Sequence, residues 1–488
     1  MKIRDWLTEL DVTLLQGNLD EEVDEVVYDS RKAVPGAVFV AICGTKTDSH
    51  SFIPQVLEAG VRVVVVERPV EAPQDITVLL VENGRQALAR LSAARFGYPA
   101  RKLKMFGITG TKGKTTTTHM IRAILEAAGR KTGTIGTNGV TIGEEHYPTM
   151  NTTPESYDLH RWFARMLEAG CAACVMEVSS QALKLFRVDG IFYDYALFTN
   201  ISPDHIGPDE HADFEEYLDC KKRIFAQSGL ALVNADDAHI DAVVRDIPCP
   251  WESYALEHEA RFRAENIHFV SEADFVGVEF AIRGAHDVPV RVSIPGRFNV
   301  YNALAAAAVC LRAGVPEVAV RHALEYIRID GRMEIVYTSK KCCVIVDYAH
   351  NAVSMESLLT TLRDYQPRRL VCVFGCGGNR SKDRRYTMGE IAGRMADFSI
   401  ITADNSRWEK VEDIMADIRG SIEKTGGRFI EIADRREAIA YSIRNAEPGD
   451  MIAIIGKGHE DYQEIEGVRY PFLDRAVVEE VVAELEEN

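Results

Sequence analysis

Thr109-Gly110-Thr111-Lys112-Gly113-Lys114-Thr115-Thr116 is the stretch from which this 488-residue sequence reads outward. The apolar run that begins at Leu103 ends at Ile108. Beyond the loop, Met120, Ile121, Ile124 and Leu125 recur at helical spacing until Gly129 stops the helix. Strand, glycine loop, helix is the order a phosphate-binding loop requires. Glycine lets backbone N–H groups close around a phosphate, the helix N-terminus favours an anion, Lys114 reaches the outer phosphates and Thr115 offers a hydroxyl to magnesium. The general pattern has glycine where this chain has Ile108, so the loop is a variant. A chance glycine-rich turn is the alternative, but the flanking strand and helix and the Gly-Lys-Thr ending favour an ATP site formed by Gly110, Thr111, Lys112, Gly113, Lys114, Thr115 and Thr116.

Outward from that loop, apolar runs of strand length alternate with helical periods along the whole chain. The pattern predicts an α/β protein with largely parallel sheets. The length exceeds what one core supports, and about three domains are expected. A first part mixes short β-like runs (37–42, 61–66, 77–81) with helices and ends near Gly97-Tyr98-Pro99. A second boundary is expected near Asp330-Gly331-Arg332. Beyond it the runs 343–346, 370–374, 398–402 and 451–455 predict a separate doubly wound domain, with ligand-facing loops just past the strand ends. The expected domains are therefore 1–100, 101–331 and 332–488.

The net charge of −18 and a pI near 5.3 argue against non-specific binding to a nucleic-acid backbone. Neither a basic start followed by an apolar stretch nor a membrane-length apolar run is present, so a cytoplasmic protein without membrane insertion is expected. Ten cysteines in a chain of this length suit a reducing compartment. Cys171 and Cys174 form a C-x-x-C at the start of an apolar run, and core packing is the expected role against metal or redox work.

The apolar run 172–176 delivers Glu177 at its end. An acid at a strand tip beside a phosphate loop suits magnesium, which prefers hard oxygen ligands, although a lone acid there is commonly a solvated cap. The next run, 195–199, leads to Asn200-Ile201-Ser202-Pro203-Asp204-His205. His205 reads equally as a metal ligand or a loop hydrogen bonder.

GTKGKTT, MEVSS, NISPDH, VDYAH and GKGHEDYQ occur in the order found in the Mur ligases, and the chain resembles that family over most of its length. The likeness is to the members that add the third residue of the stem peptide in bacterial cell-wall synthesis. The resemblance implies a small α/β N-terminal UDP-binding domain, a central P-loop ATPase-like parallel-sheet domain and a C-terminal Rossmann-like doubly wound domain. It implies that Glu177 and His205, with Thr115, hold Mg2+ beside ATP. It also implies that Lys221, in Tyr217-Leu218-Asp219-Cys220-Lys221, is carbamylated and supports a second magnesium. Lys114, Glu177, His205 and Lys221 would then supply the catalytic electrostatics. Asn151, Thr152, Thr153, Ser179 and Arg187 resemble contacts to the UDP-muramoyl peptide, with Leu185 where a polar residue is usual. Ser30, in Asp29-Ser30-Arg31-Lys32, and Gly44-Thr45-Lys46 resemble the uridine pocket, although by themselves they are ordinary turn residues. Asn299 and Asn302 resemble adenine contacts, and asparagines capping a helix start are the parallel reading. Arg332, Asp347 and His350 resemble nucleotide contacts that close over ATP when domains come together.

The reaction implied is ATP-dependent activation of a peptide carboxylate as an acyl phosphate, followed by attack of an amine. Positioning and charge neutralisation dominate such chemistry, so no nucleophilic side chain is assigned. The partners implied are a UDP-N-acetylmuramoyl dipeptide and a diamino acid, and a monomer is expected. For the diamino acid, the extra carboxylate of meso-diaminopimelate calls for an arginine fork. Arg407, in Asp404-Asn405-Ser406-Arg407, and Arg380 supply it, while Gly456 and Glu460 match contacts to the far end. L-lysine remains the alternative, because Ser202-Pro203-Asp204-His205-Ile206-Gly207-Pro208 is similar to lysine-adding members and Asn379 and Ser381 replace usual acids. Serine in place of proline at 406 is expected to loosen the Arg407 loop. A P-loop phosphotransferase would leave VDYAH and GKGHEDYQ without a purpose. A folylpolyglutamate synthetase would not need the uridine-like first hundred residues. A catalytically silent module would not need charge at Lys114, Glu177, His205 and Lys221.

Overall fold

The computed structural model describes residues 1–44, 47–204, 206–207 and 210–486. The chain divides into one unit of Met1–Arg261 with Ala305–Ala319 and another of Phe262–Leu304 with Val320–Asn488. Among the described residues no helix is long and apolar enough to cross a membrane.

The first unit begins with a sheet in the order Thr13–Gln16, Thr77–Leu80, Val63–Val66, Ala37–Val40, Glu25–Val27. All pairs are parallel except the first. The inner strands Val63–Val66 and Ala37–Val40 are wholly apolar, as burial on both faces demands. The helix Gly84–Arg95 covers one face, with Asn83 capping it by accepting from Gln86 N–H.

A second sheet follows in the same unit. Its parallel part runs Trp251–Ala255, Ser228–Asn234, Tyr193–Phe198, Lys104–Thr109, Ala173–Glu177, Thr132–Gly136, and then continues antiparallel into Gly139–Ile142 and Glu145–Tyr147. Register decides what this sheet can do. Glu177 pairs with Ile108 on one side, and Phe198 pairs with Thr109 on the other. Three strand ends therefore finish together at the carboxyl edge, where open parallel sheets bind ligands.

The second unit holds an antiparallel meander, Phe262–Ser271, Val276–Gly284 and Val288–Val292. Its other sheet runs Glu334–Thr338, Cys342–Asp347, Asp450–Ile455, Arg369–Phe374, Phe398–Ile401, Phe429–Glu431, parallel but for the first strand. Helices Ala352–Arg363, Asp383–Met395 and Val411–Thr425 pack on one face, and Arg435–Arg444 and Asp474–Glu486 on the other. This is the doubly wound arrangement expected from the run spacing.

The antiparallel segments depart from the largely parallel expectation. Phe262–Ser271 forms no apolar run: buried residues alternate with half-buried ones at its start, and exposed with half-buried ones further on, because only one of its faces is covered. Cys171 and Cys174 are buried free thiols, and Cys174 lies in the core, as packing rather than redox chemistry requires.

His160 is buried in the first unit against Phe163, and neither ring nitrogen has a hydrogen-bond partner. Burial pulls its pKa from the ordinary imidazole value of 6.5 to about 3, and Arg101 adds to the pull. The unfolded chain takes up the proton first, so the stability tied to the neutral ring is complete above pH 6.5 and is lost as the pH falls toward 3. Between pH 7 and pH 5 the native chain should lose on the order of 2 kcal/mol more unfolding free energy than His160→Leu. Equal losses in urea titrations would show that the ring is not held neutral.

Candidate functional site

The glycine loop leaves the strand Lys104–Thr109 and enters the helix Lys114–Ala127 through Gly113, whose φ is +86°. At Gly110 φ is +144°, and a Cβ there would stand 2.0 Å from Thr199 Oγ1, so no other residue fits. The loop is braced by the neighbouring strand end. Thr111 N–H donates to Asn200 O at 2.8 Å, and Lys112 N–H donates to Asn200 Oδ1 at 2.9 Å. Thr199 Oγ1 and Asn200 Nδ2 both donate to Lys112 O. Ile108, at the variant position, is a core residue of the strand.

Two ammonium groups converge on this loop. Lys114 Nζ donates to Gly110 O at 2.9 Å and Thr111 O at 3.1 Å, and Lys221 Nζ donates to the same Gly110 O at 2.9 Å. Burial lowers the Lys114 pKa against the pull of Glu177 and Asp204. Lys221 is buried at the end of the helix Phe214–Lys222, beside the Tyr217 ring. Burial first, and the Lys114 charge next, drive its pKa well below the ordinary lysine value.

Opposite the ammonium groups, Glu177 is buried at its strand tip. Its Oε1 accepts from Thr115 Oγ1 and from Thr137 N–H, each at 2.9 Å, and its Oε2 accepts from Thr137 Oγ1 at 3.2 Å. These carboxylate and hydroxyl oxygens fit a hard divalent cation such as magnesium. His205, expected beside them, lies outside the described residues, as do Thr45 and Lys46.

The expected peptide contacts gather around the same strand end. Thr153 Oγ1 donates to Glu177 O at 2.9 Å and accepts from Ser179 N–H at 3.0 Å. Ser179 Oγ caps the helix Ser180–Lys184. Arg187 follows Phe186, whose φ is +55°, donates to Thr153 O and pairs with Glu155 at 2.9 Å. Thr152 Oγ1 lies 3.2 Å from Thr137 Oγ1, and Asn151 is exposed. Ser30 sits on the 3-10 turn Ser30–Lys32 capped by Asp29. Cys43, His50 and Glu67 bring potential metal ligands within 4.8 Å of one another. Yet His50 Nε2 accepts from Glu67 N–H at 3.0 Å, and Nδ1 lies 2.7 Å from Asp48 Oδ1. The ring proton therefore belongs on Nδ1, and the group is a structural hydrogen-bond cluster.

In the second unit Asn299 Nδ2 donates to Pro295 O at 2.7 Å, and Asn302 Nδ2 donates to Asn299 Oδ1 at 2.9 Å. Asp347 ends its strand and accepts from Met333 N–H and Ala349 N–H, each at 2.7 Å. Burial raises its pKa against these donors and the nearby Arg332. The Arg332 guanidinium lies over the Tyr348 ring, and His350 Nδ1 is 2.9 Å from Tyr348 O.

Past the strand ends of that sheet the expected amino-acid contacts assemble. Asn405 Nδ2 donates to Glu460 Oε2 at 2.9 Å. Lys457 Nζ donates to both Asn405 Oδ1 and Glu460 Oε2 at 3.2 Å, and Tyr348 OH donates to Glu460 Oε1 at 3.3 Å. The Glu460 carboxylate is thus oriented by donors from Asn405, Lys457 and Tyr348. Asp404 is buried beside Gly456, where a Cβ would lie 2.6 Å from Asp404 Oδ2. Arg407 Nη1 donates to Gly378 O at 2.8 Å, and its backbone N–H donates to Glu464 O at 2.9 Å. Serine at 406 does not leave this loop loose: Ser406 is buried, and the hairpin of Tyr462–Ile465 and Val468–Pro471 pins the next residue. Arg380 is exposed, and both it and Arg407 come within 4 Å of where a Cβ at Gly377 would stand. Thr137, Asn200, Lys457 and Glu464 escaped the sequence reading. Asn200 and Lys457 lie within the quoted NISPDH and GKGHEDYQ strings without having been singled out, and no local motif marks Thr137 or Glu464.

Family models describe three consecutive stretches of the chain. They are the Mur ligase family catalytic domain over residues 22–96, the Mur ligase middle domain over 108–310, and the Mur ligase glutamate ligase domain over 331–458. The chain is 40% identical over 475 residues, 97% of each protein, to the UDP-N-acetylmuramoyl-L-alanyl-D-glutamate--2,6-diaminopimelate ligase of Caldanaerobacter subterraneus subsp. tengcongensis. A solved structure of a ligase of that same description superposes with a TM-score of 0.80 at 28% identity, covering 100% of both chains. A Mycobacterium tuberculosis folylpolyglutamate synthase, complexed with ADP and AMPPCP, shares the fold over 76% of this chain and 92% of its own, with a TM-score of 0.56 at 19% identity.

Gly136 ends the strand beside Glu177, and a Cβ there would stand 2.3 Å from Glu177 Oε1. The clash falls on the end of a side chain, so Gly136→Ala should fold normally while displacing the carboxylate. Magnesium-dependent nucleotide binding should weaken about tenfold or more, with metal-free binding nearly unchanged. Equal magnesium dependence in the variant would remove Glu177 from the metal's surroundings.

Proposed function

Because this chain belongs to the Mur ligase family, we propose that it joins meso-diaminopimelate to UDP-N-acetylmuramoyl-L-alanyl-D-glutamate in an ATP-dependent, ADP-forming reaction of peptidoglycan synthesis, carried out in the cytoplasm. The observation that carries the reading of the added residue is the presence, past the strand ends of one sheet, of the Arg407 guanidinium, flanked by Arg380, and of a Glu460 carboxylate held by Asn405, Lys457 and Tyr348. A carboxylate and an ammonium at the far end of one amino acid need that combination, and the ligase relatives carry the same amino acid in their names. L-lysine has no far carboxylate, and with it the Arg407 guanidinium would keep only its contacts to Glu464 and the Gly378 carbonyl.

The family is ATP-dependent, and the nucleotide is assigned to Gly110, Thr111, Lys112, Gly113, Lys114, Thr115 and Thr116, with Asn299, Asn302, Arg332, Asp347 and His350. The dipeptide carboxylate attacks the γ-phosphorus, releasing ADP and leaving an acyl phosphate. The free amine of diaminopimelate then attacks the acyl carbon, forming the amide and releasing inorganic phosphate. Lys114 neutralises charge on the transferring phosphoryl group, and the Gly110 loop orients it. Mg2+, held by Thr115 and Glu177 with His205, would neutralise the phosphate oxygens beside the attacking carboxylate. Lys221 is the carbamylation candidate. Its buried amine is depressed toward the neutral form, which is the form that adds carbon dioxide. The resulting carboxylate would join the oxygen ligands facing Lys114. Ser30, Asn151, Thr152, Thr153, Ser179 and Arg187 are assigned to the UDP-linked peptide. The domains are proposed to be 1–100, 101–331 and 332–488.

Arg407→Ala should raise the KM for meso-diaminopimelate about a hundredfold, as loss of a charged fork to a carboxylate implies, and leave the KM for ATP within about twofold. An unchanged KM for the amino acid would show that its far carboxylate is read elsewhere.

A further inference from the structure

Arg435 opens the helix Arg435–Arg444, Asp474 opens the helix Asp474–Glu486, and both side chains are fully buried. Arg435 Nε donates to Asp474 Oδ1 and Nη2 donates to Oδ2, each at 2.7 Å. The rest of the guanidinium goes to backbone. Nη1 donates to Ala403 O at 3.2 Å, and Nη2 donates to Ile455 O at 3.1 Å. Those carbonyls immediately precede Asp404 and Gly456, where the two loops proposed to bind the amino acid begin.

The strands that deliver these loops, Phe398–Ile401 and Asp450–Ile455, are not neighbours, because Arg369–Phe374 lies between them. No ladder hydrogen bond therefore joins one loop directly to the other. Asn405, bonded to Glu460 and Lys457, links them through side chains, whereas the planar guanidinium, with its fixed donor directions, links their backbones where they leave the sheet. Lysine offers one nitrogen and cannot hold a carboxylate in a fork while reaching two carbonyls. Net stabilisation is not what such a pair supplies, since desolvation offsets the attraction of buried charges. We propose that Arg435, oriented by Asp474, is a positioning residue that fixes the spacing between the Asp404–Arg407 and Gly456–Glu460 loops and so the fit of the added amino acid. This inference rests on the reading of those loops as the amino-acid site.

The test replaces the pair by apolar residues of similar volume, Arg435→Met with Asp474→Leu, and separately makes Arg435→Lys. Thermal unfolding, amide hydrogen exchange of the whole chain and the KM of each substrate are then measured. The double variant should keep a cooperative transition near the native Tm, because no charge is left buried alone. Exchange should accelerate about tenfold or more in 404–407 and 456–460 only, and the KM for the amino acid should rise about tenfold to a hundredfold, with those for ATP and the UDP-linked dipeptide unchanged. Arg435→Lys should shift the same quantities in the same direction. Native-like exchange in both loops would overturn the proposal, and so would a parallel rise of all three KM values. If the native chain turned over no substrate, the reading of the amino-acid site would fail, and the exchange data alone would decide whether the pair positions the loops.

Discussion

Parallel pairing of Lys104–Thr109 between Ala173–Glu177 and Tyr193–Phe198 is the constraint on which the rest of the nucleotide end depends. A slip of one residue would turn every side chain of a strand to the opposite face. It would carry Glu177 away from Thr115 and Thr199 away from the Lys112 carbonyl. With the register as it is, the same loop meets a carboxylate on one side and two ammonium groups on the other. Its own carbonyls, at Gly110 and Thr111, hold those ammonium groups close while no anion is needed to do so. Burial first, and the neighbouring Lys114 charge next, depress the Lys221 pKa, and the neutral amine that this favours is the form that carbamylation chemistry uses.

The second unit solves a different problem with buried charge. Glu460 is half-buried, and Lys457, Asn405 and Tyr348 surround it with donors. Arg407 stands in a left-handed backbone conformation, φ +51°, with its N–H and carbonyl both taken up by the hairpin strand at Glu464 and Glu466. A residue other than glycine occupies that conformation only when its surroundings enforce it. The hairpin does so here, which is why serine at position 406 leaves the arginine fixed.

What was legible in the sequence and what was not divides along a physical line. Apolar runs mark fully buried parallel strands, so 343–346, 370–374, 398–402 and 451–455 fall within a residue or so of the observed strands Cys342–Asp347, Arg369–Phe374, Phe398–Ile401 and Asp450–Ile455. Strands with one wet face, such as Phe262–Ser271, carry no such run and were not foreseen. Site residues were legible where several fall within a short stretch, as in 109–116 and 404–407. Asn200 braces the 109–116 loop from another strand end, Thr137 holds the Glu177 carboxylate, and Arg435 meets Asp474 only after the sheet has formed. No spacing in the chain announces those meetings, because they depend on strand order.

Phosphate release from ATP, with the product weighed by mass spectrometry, bears most directly on the account when the purified chain receives UDP-N-acetylmuramoyl-L-alanyl-D-glutamate with either meso-diaminopimelate or L-lysine. The account requires release and a new amide-linked product with diaminopimelate, and neither with lysine. Turnover with lysine alone would contradict the arginine argument, and silence with both amino acids would contradict the ligase itself.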